Sequence, residues 1–273
     1  AHMGQEPGTA DWRRLWRDAV THPRELLALL GLERLADSVL PRLDTGFALR
    51  VPRGFVARMR HGDAHDPLLL QVLPQAAELE TVPGFGLDAV GDLEARTARG
   101  VLHKYHGRAL LVATGSCAVN CRYCFRRHFP YGEETAAANR WHEAIEHLRA
   151  DASIEEVILS GGDPLSLSTA KLAELTRALA DVAHIRRLRI HTRLPIVLPE
   201  RIDAEFTAWL RGLRWPVAIV LHANHANELD ASVAAACALL REAGATLLNQ
   251  SVLLRGVNDS ADALAALSKR LFD

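Results

Sequence analysis

Five short apolar runs, each followed by a polar or glycine-bearing turn and then a helix-length stretch, dictate how the chain from residue 107 onward can fold. The runs are "RALLVAT" (108–114), "EVILSG" (156–161), "RRLRIHT" (186–192), "VAIVLHA" (217–223) and "TLLNQSVLL" (246–254). Continuous apolar runs of this length suit strands buried on both faces, the situation of a parallel sheet covered by helices. Between them, "STAKLAELTRALADV" puts Leu172, Leu175, Leu179 and Val182 on one stripe. "NELDASVAAACALLREAG" does the same with Leu229, Val233, Cys237 and Leu240 before Gly244 stops the helix. Strand then helix, repeated, predicts a barrel-like or doubly wound α/β unit with right-handed crossovers and its chemistry at the carboxyl ends of the strands. At those ends stand a cysteine-rich loop, "SGGDP", "HTRLP", "LHANHANE" and "NQS".

Residues 4–106 read differently. From Asp11 to about Asp37 the pattern is helical: Trp12, Leu15 and Trp16 share a face, Thr21 is the expected cap of a second helix with Pro23 early in it, and Gly31 is its stop. From Arg50 to Gly100, Pro52, Pro67, Pro74 and Pro83 break the chain into short pieces, which predicts a loop-rich connection and no sheet. Ala1-His2-Met3 reads as a tag remnant. The expected organisation is therefore a tag at 1–3, a mainly helical and loop-rich region at 4–106, and an α/β core at 107–273.

Charge narrows the partners. Balanced at 32 basic and 33 acidic residues, the chain gives no electrostatic case for nucleic acid or a membrane surface. No apolar run reaches the ~20 residues that span a bilayer, and no secretory signal precedes the first helix, so a cytoplasmic protein acting on small molecules is expected.

The chemistry concentrates in "GSCAVNCRYCFRRHFPY", where Cys117, Cys121 and Cys124 follow the first core strand as C-x3-C-x2-C. This is no disulfide framework, because the fourth cysteine, Cys237, sits on the apolar stripe of a helix. Zinc needs a fourth ligand, for which a histidine such as His128 is available, and the residues alone leave that reading open. Three thiolates on one short loop suit a four-iron cluster whose last iron stays open for a ligand. Arg122, Arg126 and Arg127 beside them suit a carboxylate or phosphate. In "SGGDPL", Gly161 and Gly162 would let a ligand approach the backbone, and Asp163 would accept from an ammonium group. In "LHANHANE", His222, Asn224, His225, Asn227 and Glu228 suit hydrogen bonding to a cofactor or to the loop itself better than metal ligation. Lys104, Arg108 and Arg193 are further cations associated with strands.

On these motifs the chain resembles the radical S-adenosylmethionine (SAM) superfamily. Within it, "CRYCFRRHFPY", "LSGGDPL", "TRLPIVLPER", "LHANHANE" and "NQSVLLRGVND" are similar to the lysine 2,3-aminomutase family over nearly all of residues 100–260, and "FALRVPRGFVARM" with "DPLLLQVLP" extends the likeness toward the amino terminus. "HKYHGRALL" and "CAVNCRYCFRRHFPY" look most like the branch that makes (R)-β-lysine for modification of translation elongation factor P. The resemblance implies a partial (β/α) barrel with an N-terminal helical extension. It implies a [4Fe-4S] cluster on Cys117, Cys121 and Cys124, and SAM received by Gly161, Gly162 and Asp163. Arg126 would grip the substrate carboxylate. Arg108 and Arg193 would lie near pyridoxal phosphate (PLP), with Arg193 the better candidate for its phosphate, and His222, Asn224 and Gln250 would be further cofactor positions. Reductive cleavage of SAM would supply a 5'-deoxyadenosyl radical that takes a hydrogen from C3 of free L-lysine, while PLP carries the amine from C2 to C3.

Family members continue with a further strand, acidic residues that read the distant ammonium of lysine, and the lysine that bonds PLP. This chain ends at Asp273, and Lys104, Lys171 and Lys269 are its only lysines, none in a matching context. The expectation is a truncated chain, able to hold the cluster and SAM but lacking the PLP lysine and inactive for turnover, with an open barrel edge through which a homo-oligomer would form. Two alternatives stand beside it: the same chemistry on glutamate or arginine, and a non-catalytic iron-sulfur or zinc protein.

Overall fold

The computed structural model describes residues 11–36, 48–134 and 141–273, so the three residues read as a tag remnant lie outside it. Seven strands form one sheet in sequential order. They are β1 (Arg96–Ala98), β2 (Val101–Tyr105), β3 (Arg108–Thr114), β4 (Glu156–Gly161), β5 (Arg187–Thr192), β6 (Val217–Leu221) and β7 (Thr246–Asn249). β3 to β7 run parallel, and β1 and β7 are its two ends, so the sheet is an open barrel.

The five apolar runs are β3 to β7. The last run is cut short because its later backbone groups find side-chain partners: Val252 N–H donates to Asn224 Oδ1 and Leu254 N–H to Asn258 Oδ1, each at 2.8 Å. Every residue of "EVILSG" except Ile158 is buried, as a strand covered on both faces requires.

β1 lies in the stretch expected to hold no sheet and β2 just beyond it, and both extend the sheet antiparallel. A two-residue loop, His106-Gly107, joins β2 to β3, with Gly107 at φ +78°. Positive φ at glycine is what a tight hairpin needs, and "HG" between apolar runs was the signal for it.

The helices that matter for the site are α1 (Trp12–Arg17), α2 (Pro23–Leu29), α3 (His142–Ala150), α4 (Thr169–Ala180), α5 (Ala204–Arg211), α6 (Ala231–Glu242) and α7 (Ala261–Phe272). Asp11 caps α1 through its carboxylate and Gly31, at φ +67°, ends the turn after α2. Thr21 is not the cap of α2, since His22 holds that position and gives no side-chain bond. Leu172, Leu175, Leu179 and Val182 are all buried, but Leu229 precedes α6, which Asp230 caps by accepting from Val233 N–H. A single hydrophobic core runs from Trp12 and Leu26 through the strands to Leu267. Arg201, fully buried, ties the two regions: it donates to the carbonyls of Leu165 and Leu167 and lies over the rings of Trp12 and Phe206. Among the described residues no helix is long and apolar enough to cross a membrane.

Candidate active site

The carboxyl ends of the parallel strands surround a cavity of about 530 Å³, and Cys117, Cys121, Cys124, Arg126, Arg108, Arg193, His222 and Gln250 all line it. The loops after the strands place all of them there except Arg108, which opens β3 at its amino end. Each strand runs through the core and releases its chain into a loop at one end, so loops far apart in sequence meet.

β3 releases the cysteine loop. It is pressed against the turn after β4, where Gly162 N–H donates to Thr114 O at 2.7 Å and Asp163 N–H to Ser116 O at 2.8 Å. A Cβ on Gly161, at φ +116°, would stand 2.6 Å from Thr114 O, and one on Gly162 would stand 2.5 Å from Ser116 O. The two glycines thus let two backbone segments touch, and their backbone lines the cavity.

Asp163 differs from its expected role as a free acceptor. Its Oδ1 accepts from Thr192 Oγ1–H and Leu165 N–H, and its Oδ2 from Arg193 N–H and Leu194 N–H, at 2.7 to 3.0 Å. Four donors of the protein saturate the carboxylate, which fixes the ends of β4 and β5 and leaves no lone pair for a bound amine. Burial still pushes its pKa up.

The arginines of the cysteine loop are paired with carboxylates from the amino-terminal region. Glu78 accepts from Arg122 Nε at 2.6 Å and from Arg127 Nη1 at 2.8 Å. Arg126, 8% exposed, donates through Nε to Asp92 Oδ2 at 2.6 Å and through Nη1 to Ser160 Oγ at 3.0 Å. The other oxygen of Asp92 meets Lys104 Nζ at 2.5 Å. Arg126 therefore faces the cavity with its fork held by two partners, while Arg122 and Arg127 are spent on Glu78.

Arg193, expected near a phosphate, is hydrogen-bonded within the chain. Its guanidinium is 5% exposed and donates to Cys121 Sγ at 2.8 Å, Gln71 Oε1 at 2.6 Å and Glu228 Oε2 at 2.9 Å. Arg108, by contrast, is exposed on the cavity rim over the Tyr105 ring, and among the described residues it has no hydrogen-bonding partner for its side chain. Asn224 does not reach the cavity either. It is buried behind the wall, donating to Gln71 Oε1 and Tyr123 Oη and accepting from Val252 N–H. His225 caps its own loop by accepting from Asn227 N–H.

His222 and His191 face each other in the cavity, with ring nitrogens 3.4 Å apart. Burial, with nearby Arg189 and Arg126, lowers His191 to about 4, and burial with His191, Arg193 and Arg126 lowers His222 to about 3. Both rings are neutral at physiological pH. Their folded pKa values lie below the unfolded ~6.5, so below that pH the unfolded chain takes up protons that the folded chain refuses. Stability is expected to fall by about 1.4 kcal/mol per pH unit for each ring as the pH drops below 6.5. The urea midpoint between pH 6.5 and 5 measures this, and His191→Gln with His222→Gln should flatten the slope.

Whether the cysteines suit a cluster can be judged from their surroundings. All three are unbridged. Burial, then Asp163, Cys121 and Cys124, raise the Cys117 thiol well above its usual range, and burial with Cys121 raises Cys124. Three thiolates crowded this way ionise together only around a strongly cationic centre, such as a set of irons. Arg193 Nε, buried with no hydrogen-bond partner, leaves a donor unspent beside them. Among the described residues no three His, Cys, Asp or Glu side chains converge on one metal ion, and His128 is exposed and does not line the cavity.

An open parallel barrel with a three-cysteine loop at its carboxyl edge defines the class, and the sequence model of the Radical SAM superfamily matches residues 111–267. Over 271 residues the chain is 48% identical to L-lysine 2,3-aminomutase of Escherichia coli, covering 98% of this chain and 78% of that protein. It is 44% identical to the enzyme of the same name from Haemophilus influenzae, covering 99% and 81%, and 32% identical to that of Clostridium subterminale, covering 96% and 63%. The chain belongs to the lysine 2,3-aminomutase family of radical SAM enzymes, which are isomerases.

Sequence reasoning missed Gln71, Glu78 and Asp92, the polar residues that the amino-terminal region sends to the site. They stand alone in proline-broken stretches, and no local spacing marks them. His191 and Ser160 stood inside the quoted "HTRLP" and "SGGDP" motifs but were given no role of their own. Lys104 was visible as a strand-associated cation without a role.

Proposed function

We propose that the chain converts free L-lysine to (R)-β-lysine destined for modification of elongation factor P, using a [4Fe-4S] cluster, SAM and PLP. The observation that carries this is the meeting of the three cysteines, the oriented fork of Arg126 and the exposed Arg108 on one cavity of about 530 Å³. When bound, the cluster with SAM supplies a carbon-centred radical and PLP supplies a carrier for the migrating amine.

The chain's own residues do the rest. Cys117, Cys121 and Cys124 hold the cluster. The backbone of Gly161 and Gly162 lines the side where SAM would lie, and Arg108 offers the phosphate of PLP an unspent guanidinium at the rim. Arg126, its Nε and one Nη1 hydrogen spent on Asp92 and Ser160, presents its remaining donors to the substrate carboxylate. Apolar walls from Leu110, Ile158 and Val197 keep water from a reactive carbon. Lysine is favoured over glutamate or arginine by the names of the relatives, and the elongation factor P destination by the likeness of "HKYHGRALL" and "CAVNCRYCFRRHFPY" to that branch.

Anaerobic protein reconstituted with iron and sulfide, given dithionite, SAM, PLP and L-lysine, is expected to yield 5'-deoxyadenosine; β-lysine, resolved by chiral chromatography, decides whether the chain turns over without a lysine in the PLP-bonding context. Release of the nucleoside with glutamate or arginine but not lysine would overturn the substrate assignment, and a colourless protein that leaves SAM intact would overturn the chemistry.

A further inference from the structure

Arg193 is the cation that the proposed function leaves without a ligand to bind, yet four parts of the chain converge on it. Gln71 comes from the amino-terminal region, Cys121 from the loop after β3, Asp163 from the turn after β4 and Glu228 from the loop after β6. Its backbone N–H is anchored on Asp163 Oδ2 at 2.8 Å. One arm of its fork, Nη2, is shared between Gln71 Oε1 and Glu228 Oε2, and the other, Nη1, reaches Cys121 Sγ at 2.8 Å. Among the described residues no side-chain donor reaches Cys117 or Cys124, although the backbone of Arg126 bonds Cys124.

The anchor is itself rigid. Glu228 is fully buried, and its Oε1 accepts from Asn224 N–H, His225 N–H and Gln71 Nε2. The rings of Phe55 and Tyr123 each lie 5.5 Å from the guanidinium. A planar fork is needed to touch the sulfur with one arm and two acceptors with the other, which a lysine ammonium on a flexible stem does not do.

We infer that Arg193 is a positioning residue for Cys121 that also sets the reduction potential of the cluster held there, with Glu228 as the opposing charge. The inference rests on the proposed cluster. Hydrogen bonds to ligating sulfurs and buried charge beside them tune such potentials. Reduction adds negative charge to the cluster, so a cation at the sulfur favours the reduced state and raises the potential, and a neighbouring carboxylate lowers it.

The test is a redox titration of the reconstituted full chain, followed by electron paramagnetic resonance of the reduced cluster, with iron and sulfide counted for every variant and no lysine present. Arg193→Gln is expected to load iron as the unaltered chain does but to be reduced tenfold less readily, a midpoint about 59 mV lower for a one-electron couple. Glu228→Gln is expected to move the midpoint the opposite way, and Arg193→Lys to fall between Arg193→Gln and the unaltered chain. Loaded Arg193→Gln protein with an unchanged midpoint overturns the inference. If Arg193→Gln fails to load, Glu228→Gln decides: an upward shift supports the inference, and no shift or loss of iron makes the role merely structural and overturns it. Failure of the unaltered chain to take up a cluster would instead sink the proposed function, a separate result.

Discussion

Cys121→Ala is expected to bring reductive SAM cleavage down to the level of a protein-free control and to lower bound iron, with the fold intact. The side chain is partly exposed to the cavity and packs only at the margin of the core, so little apolar burial is lost. What disappears is one of three thiolates on which a cluster depends, together with the sulfur that Arg193 contacts. Cys237→Ala is the matched control. It removes a thiol on α6 that does not line the cavity, and should leave both readouts unchanged. 5'-Deoxyadenosine released by Cys121→Ala at the rate of the unaltered chain would show that the ligand set is misassigned.

Arg126→Ala should produce the second large effect, and in two separable parts. The buried carboxylate of Asp92 would keep only Lys104, and breaking a buried pair by removing one partner costs about 3 kcal/mol or more, read as a lower urea midpoint. The substrate carboxylate would lose its charge-assisted partner, raising KM for lysine by about 10²-fold, equivalent to about 2.7 kcal/mol. Adding Asp92→Asn separates them. The double variant no longer buries an under-compensated carboxylate, so stability returns, but KM for lysine stays high. An unchanged KM in both variants would remove Arg126 from the substrate.

The parallel half of the fold was legible because each strand is a continuous apolar run and each covering helix a regular stripe, patterns that burial itself imposes. β1 and β2 were hidden. β1 is three residues, largely exposed, and β2 lies between the proline-broken stretch and the first of the five apolar runs. In the site, the cysteines announced themselves by spacing. The roles first given to Asp163, Arg193 and Asn224 did not, because sequence shows which groups can bond but not which acceptors of the protein itself have already claimed them. Asp163 is consumed by four donors, and Arg193 by Gln71, Glu228 and Cys121. Arg126 escaped this because Asp92 and Ser160 take only part of its fork.

The ion pairs of Glu78 and Asp92 with Arg122, Arg127 and Arg126 carry a further consequence for how the protein matures. Holding a residue in one backbone conformation costs about 1–2 kcal/mol. The stretch from Cys121 to Arg127 would draw that cost from the affinity for iron if the metal had to order it. Carboxylates from residues synthesised earlier hold it instead, so a cluster bound on this loop would not have to supply that ordering from its own affinity.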